Sequence, residues 1–235
     1  IVLSRAQRDA DAAVAVAWMA SLYAGLAGLM LVTDDPFLGL PVAAAGGGAM
    51  VAGLACLLGL AEGRALAIPP VVVGAIFLST GLVMQAAAFD AAVVLTTALV
   101  LVVVAGSVFP WLALGATSTS VDQLYSTADI TAEPRPVDEA RVQADARVAH
   151  EILVAVSATV GLLLALIAPL AVSLGVAGAL LAVSCCAVVA LRTRQYRTRS
   201  EVLVGLVSGI VGLASTGVAT LWLHPDWRAA VAVVL

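Results

Sequence analysis

Residues 151 to 192 read EILVAVSATVGLLLALIAPLAVSLGVAGALLAVSCCAVVALR, and between Glu151 and Arg192 about forty residues pass without a charge. A helix rises about 1.5 Å per residue, so about 20 apolar residues cross a hydrocarbon layer of about 30 Å. Twice that length without a charge predicts two spans joined by a tight turn. Pro169, Ser173 and Gly175 are the turn-forming residues near the middle, so the break belongs at Leu170–Leu174, giving spans Ile152–Pro169 and Gly175–Leu191. The run is continuously apolar rather than alternating, which favours helices over barrel strands. Helices also satisfy their own backbone groups where no water can.

The same reading extends outward to the rest of the 235 residues. The chain is 63% hydrophobic and 11% charged, with a mean hydropathy of +1.12. Soluble domains carry about 25% charged residues, and no small soluble core could hide this much apolar surface. Charged residues punctuate further spans at Ala12–Val32, Leu40–Leu60, Leu66–Ala88, Ala91–Leu114 and Val202–Leu223, and an eighth begins after Trp227. The expected fold is an all-α, polytopic integral membrane helical bundle of about seven spans plus the start of another. It divides along the chain into residues 1–114 with four helices, a loop at 115–150, and a second helical group at 151–235. The chain opens on Ile1 and stops at Leu235 inside an apolar run, so an internal piece of a longer protein is expected.

Arginine placement orients these spans, because short basic loops resist translocation. All eleven basic residues are Arg. If successive spans alternate sides, Arg5, Arg8, Arg64, Arg135, Arg141, Arg147, Arg192, Arg194, Arg197 and Arg199 share one side, which is expected to be cytoplasmic. Asp34, Asp35, Asp90, the Pro169–Gly175 turn, Asp226 and Arg228 fall on the other. The net charge of −4 carries little information, since the charges lie in loops.

Two features on the Arg side stand apart. Gly115–His150 is far longer than its neighbouring loops; its first part is rich in Ser, Thr, Asp and Pro, and from Pro136 a helix is predicted to run through Val137–Ala168. Its projecting turns carry Asp138, Glu139, Arg141, Asp145 and Arg147, a mixed surface suited to docking a partner protein. The second feature is the connector Arg192–Arg199, whose Arg192, Arg194, Arg197 and Arg199 fix topology and suit anionic lipid head groups. Gly205 and Gly209, with Gly212 one turn on, form a small-residue face for helix packing, within the chain or between two copies. Gly46–Gly47–Gly48 points to close packing or a kink in the second span.

No motif for catalysis appears: there is no HExxH, GxSxG or P-loop. The three cysteines, Cys56, Cys185 and Cys186, sit in apolar segments without a metal-ligand spacing. No ionisable residue is placed at mid-span, Gln85 being the strongly polar side chain deepest in a span. His150 and His224 fall at span ends as interfacial residues. Catalytic residues, cofactors, metals and a nucleic-acid partner are therefore not expected. A secondary transporter of a small molecule is the alternative to a scaffold, although transporters favour polar mid-span sites and broken helices in repeated positions.

The stretch Arg192-Thr-Arg-Gln-Tyr-Arg-Thr-Arg-Ser-Glu-Val-Leu-Val-Gly-Leu-Val-Ser-Gly209 resembles the corresponding connector and span of the EccD family, membrane subunits of the type VII (ESX) secretion systems of mycobacteria and related actinobacteria. Arg147-Val-Ala-His-Glu-Ile-Leu153 is similar to the end of that family's central loop, and the Lys-free, Ala- and Val-rich composition suits an actinobacterial origin. The resemblance implies a ubiquitin-like domain and two spans before Ile1, with spans three to nine and the start of ten present here. It further implies a bacterial inner-membrane scaffold without a catalytic centre. Such a scaffold would pair with a second copy around a lipid-filled vestibule and hold EccB, the EccC ATPase and EccE-like subunits, with Ala116–His150 near the ATPase stalk.

The Arg-side assignment has a direct test. Single cysteines placed at Ser200 and at Thr33 are expected to differ in intact cells, with an impermeant thiol reagent labelling Thr33→Cys and sparing Ser200→Cys. The reverse pattern would invert the topology.

Overall fold

The computed structural model of the chain describes residues 10–33, 37–60, 63–87, 89–116, 139–195 and 198–227. Among them, seven α-helices form an all-α bundle: α1 Ala10–Leu31, α2 Leu40–Gly59, α3 Ile68–Ala87, α4 Ala91–Ala116, α5 Glu139–Ala171, α6 Val176–Arg192 and α7 Arg199–Leu223. Five segments are long and apolar enough to cross a membrane: Ala12–Leu31, Leu40–Gly59, Arg64–Ala87, Ala149–Leu174 and Arg199–Leu223. Val176–Arg192 is apolar and shorter, and α4 is apolar over Ala91–Ser107. The residues expected at Asp34, Asp35, Tyr196, Arg197, Arg228 and most of the long loop, Asp138 included, lie outside those described.

Helix boundaries follow local chemistry. Pro41 sits at the start of α2, where a missing N–H costs nothing. The Asp90 carboxylate accepts from the backbone N–H of Ala92 at 2.8 Å, capping the first turn of α4. Pro169 lies inside α5 near its end; the helix gives way after Ala171 to a 3-10 turn, Val172–Leu174, and then to Gly175 at φ +79°. That left-handed backbone suits glycine, and it reverses the chain into α6.

The helices pack as two layers. In one, α2 lies between α1 and α3; in the other, α5 lies against α4, α6 and α7, and α4 meets α5 more extensively than α3. The main core belongs to the second layer, where Leu95, Leu99, Leu163, Leu164, Ile167 and Cys186 are fully buried. The first layer is held by close backbone approach. A Cβ on Gly74 would stand 2.6 Å from the amide nitrogen of Met50 and 2.7 Å from the carbonyl oxygen of Gly46, so neither backbone could stay where it is. The buried hydroxyls of Ser21 and Thr216 bond back to their own helix, to the carbonyl of Ala17 at 2.8 Å and to that of Gly212 at 2.7 Å, whereas the buried Thr96 hydroxyl has no partner. The Trp18 indole donates to the carbonyl of Leu66 at 2.8 Å and ties α1 to the turn before α3. Between the layers lies an apolar cavity of about 510 Å³ walled by Trp18, Leu22, Phe77 and Leu166 among others.

Gln85 stands differently from its sequence expectation. It is exposed and two residues from the end of α3, because that helix stops at Ala87; it is an interfacial side chain. Helix α5 has 33 residues, about 50 Å at 1.5 Å per residue, and its apolar part begins only at Ala149. Residues 139–148 therefore extend beyond the membrane-compatible segment.

The glycine contact predicts a contrast between two substitutions. Gly74→Val is expected to destabilise the detergent-solubilised protein by about 1–3 kcal/mol, the usual cost of overpacking. Gly59→Ala, where an added Cβ meets nothing within 4 Å, is expected to be neutral or slightly stabilising. Thermal melting of the two variants side by side checks this, and equal melting temperatures would remove Gly74 from the packing account.

Candidate functional site

Charged and polar side chains gather where the Arg-bearing ends of α5, α6 and α7 meet. Helix α7 begins after Thr198, whose extended backbone (φ −97°, ψ 145°) ends the connector without a side-chain cap. Glu201 falls in the first turn, where the positive end of the helix dipole favours a carboxylate. Packing of α7 on α5 turns that carboxylate inward, and Glu201 is only 5% exposed. It is met by His150, whose Nδ1 lies 2.7 Å from Oε1 of Glu201.

Two hydroxyls complete the arrangement. Ser200 Oγ lies 3.1 Å from Nε2 of His150, and Thr198 Oγ1 lies 3.4 Å from Nδ1. With Nδ1–H donating to the carboxylate, Nε2 accepts from the Ser200 hydroxyl when the ring is neutral and donates to it when the ring is an imidazolium. Either way both ring nitrogens are satisfied. The cluster clamps the base of the α5 extension to the start of α7. Ser200, His150 and Glu201 stand in the order hydroxyl, imidazole, carboxylate, and among the described residues no group of three metal-ligating side chains exists.

Arg192 behaves differently. It is the last residue of α6, and its side chain runs back into the bundle. Nε and Nη2 are buried without any hydrogen-bond partner, and Nη1 lies 3.3 Å from where a Cβ of Gly106 would stand. A connector position in the sequence is thus a half-buried charge in the last turn of α6, away from mid-span. Helix α6 has 17 residues and passes at Arg192 into a 3-10 turn, Thr193–Gln195. Arg194 and Arg199 are exposed, as is Arg147 on the α5 extension. Glu139, Arg141 and Asp145 lie on the helical backbone of α5.

Gly205, Gly209 and Gly212 are all buried on α7. A Cβ on Gly209 would stand 3.1 Å from Cβ of Ala190 on α6, and one on Gly212 would stand 3.3 Å from Cβ of Leu164 on α5. Two of these glycines thus pack within the chain. The opposite face of α7, with Leu203, Leu206, Ile210 and Trp222, is exposed. At the other end of the bundle, His224 stacks on Trp227 with ring centres 4.3 Å apart, and its Nε2 lies 3.3 Å from the carbonyl of Val172.

With this geometry in hand, comparison with known families is informative. A family model described as the EccD-like transmembrane domain matches residues 1–235. The chain belongs to the EccD family. It is therefore a multi-pass membrane component of type VII secretion, as the Arg192–Gly209 stretch suggested. Searches of curated proteins and of solved structures gave no match. Sequence reading missed Glu201, because no spacing rule links it to a histidine 51 residues earlier. The available signal was an acidic residue directly after a run of arginines, in the first turn of an apolar helix.

The His150–Glu201 contact gives a measurable expectation. His150→Ala leaves a buried carboxylate without its partner and is expected to cost about 1–3 kcal/mol. Adding Glu201→Ala should recover part of that loss, so the double-variant cycle should be non-additive. Strict additivity in thermal or denaturant unfolding would mean that the pair contributes nothing as a pair.

Proposed function

We propose that this chain is a structural scaffold subunit of a type VII protein-export assembly in the bacterial inner membrane, with its Arg-rich loops in the cytoplasm. The observation that carries this reading is the match of the EccD-like transmembrane domain to all 235 residues. The polar cluster agrees in chemistry: its one imidazole is engaged by a carboxylate and two hydroxyls, an arrangement for holding helices together. In this reading the subunit pairs with a second copy, carries membrane lipid between the copies, and holds EccB, the EccC ATPase and EccE-like subunits.

The α5 extension supplies the docking surface. A helix needs no ten-residue overhang merely to span hydrocarbon, and here residues 139–148 continue the span as one helix. His150 fixes the base of that overhang to α7. In the sequence, Glu139, Arg141, Asp145 and Arg147 in this segment, with Asp138 just before it, supply the mixed charge found in moderate, partly polar contacts. Arg194, Arg197 and Arg199 hold the connector at the anionic membrane surface.

Two experiments test the reading. Purification of the tagged protein in mild detergent is expected to bring down a large membrane-linked ATPase. Recovery without any such partner would favour a free-standing transporter. Reversing the charges at Asp138, Glu139 and Asp145 together is expected to weaken ATPase recovery and slow export, with insertion unchanged. Intact export and recovery in that variant would remove the overhang from the docking account.

A further inference from the structure

The two layers leave a space between them that side chains do not fill. Among the described residues α1 touches α2, α3 and the turn before α3, and its backbone does not approach α5. The space is the apolar cavity of about 510 Å³, walled by Trp18, Leu22 and Leu26 of α1 and by Leu162, Leu166 and Leu170 on successive turns of α5. Its polar side chains are Ser21 and Trp18, and both are spent. The Ser21 hydroxyl donates to the carbonyl of Ala17 and the Trp18 indole to that of Leu66, each at 2.8 Å. Water stays in a cavity only where several polar groups hold it, so this one is suited to apolar matter.

Its dimensions select the occupant. On α1 the lining runs from Trp18 to Leu29, a rise of about 16 Å at about 1.5 Å per residue. Spread over that length, 510 Å³ gives a mean cross-section of about 30 Å². A helix is at least about 10 Å across with its side chains and would need about 80 Å². A further protein helix therefore does not fit, whereas one extended hydrocarbon chain does. Hydrocarbon also has access. Leu22, Leu26 and Leu166 line the cavity and are about half exposed, and they lie in segments apolar and long enough to cross a membrane, where the surrounding medium is lipid.

The two ends of the cavity differ. Trp18 and Pro70 mark the end beside the turn Arg64–Ala67, on the Arg-bearing side, and the bond to Leu66 pins the indole there. Phe37 and Leu38 mark the other end, and Phe37 is 66% exposed. We propose that this cavity binds one acyl chain of a membrane lipid from the leaflet opposite the Arg-bearing side. The chain enters past Phe37, its methyl end rests against Trp18, and the head group stays outside. It supplies the contact that α1 and α5 lack and so joins the two layers. The site lies inside a single chain, distinct from lipid carried between copies, and this inference stands apart from the scaffold reading.

The test uses the whole protein in vesicles of phosphatidylglycerol and phosphatidylcholine. A trace of phosphatidylcholine carries a diazirine on one acyl chain, either at the methyl end or near the ester. After photolysis the labelled residues are located by mass spectrometry. Val42, Val73 and Leu95 decide the outcome: they line the cavity and are buried, so lipid around the outside of the bundle does not reach them. The methyl-end probe is expected to label Val73, one turn from Pro70, and the ester-end probe Val42 and Leu95. Leu166→Trp and Leu22→Trp each place a larger side chain at the half-exposed wall and are expected to abolish labelling at all three. Leu203→Trp, on the exposed face of α7, should leave it intact. Thermal melting shows which variants fold; if one filling variant does not, the other decides, and if neither does, the wild-type pattern decides alone. Labelling confined to lipid-facing residues, the reverse pattern of the two probes, or unchanged labelling in a folded filling variant overturns the acyl-chain site.

Discussion

Lipid tails are as apolar as leucine, so pushing two apolar helices together in a bilayer gains little from leaving water, and association rests on fit and on polar contacts. The two layers of this protein meet that constraint in different ways. Between α2 and α3 the backbones touch at Gly46 and Gly74, where no side chain fits. Around α5, larger side chains interlock, with Leu95, Leu99, Leu163, Leu164 and Ile167 wholly enclosed, and α7 closes on that helix through Gly212 against Leu164. Every other feature hangs on α5, which contacts α3, α4, α6 and α7 and alone continues well past its apolar segment.

Much of this was legible because membrane sequences separate charge from apolar length so sharply. The bounds of α2 and α4, the break before Gly175 and the long helix through 139–171 each follow from where charges, prolines and glycines fall. What was not legible depends on how helices of unequal length are held side by side. Arg192 reads as a connector residue, yet it falls in the last turn of α6 with its guanidinium beside Gly106 of α4 and its Nε and Nη2 enclosed. Glu201 reads as the surface start of a span; only the placement of α7 against α5 buries it and sets it on His150. Neither placement has a local signature, since both are decided by packing between segments far apart in the chain.

His150 and Arg192 show two outcomes for a charged side chain at the same end of the bundle. His150 has both ring nitrogens engaged by residues of a neighbouring helix and its cap, and so it fastens α5 to α7 where α5 leaves the apolar layer. Buried polar groups that are fully satisfied rigidify their surroundings; partly satisfied ones do the opposite, or call for something from outside. Arg192 is in the second condition. An apolar cleft adjoins it through Gly106.

The position of the clamp has a mechanical consequence for the overhang. A helix end that protrudes from its bundle frays unless its last packed turn is fixed, because the first four N–H groups of any helix lack internal partners. Here the fixed turn is at His150, about ten residues from the start of α5. Those ten residues rise about 15 Å. That segment is continuous with the helix that carries much of the enclosed core, Leu163, Leu164 and Ile167. The first layer is joined to α5 mainly through α3 and the turn before it, and the apolar cavity lies between the layers.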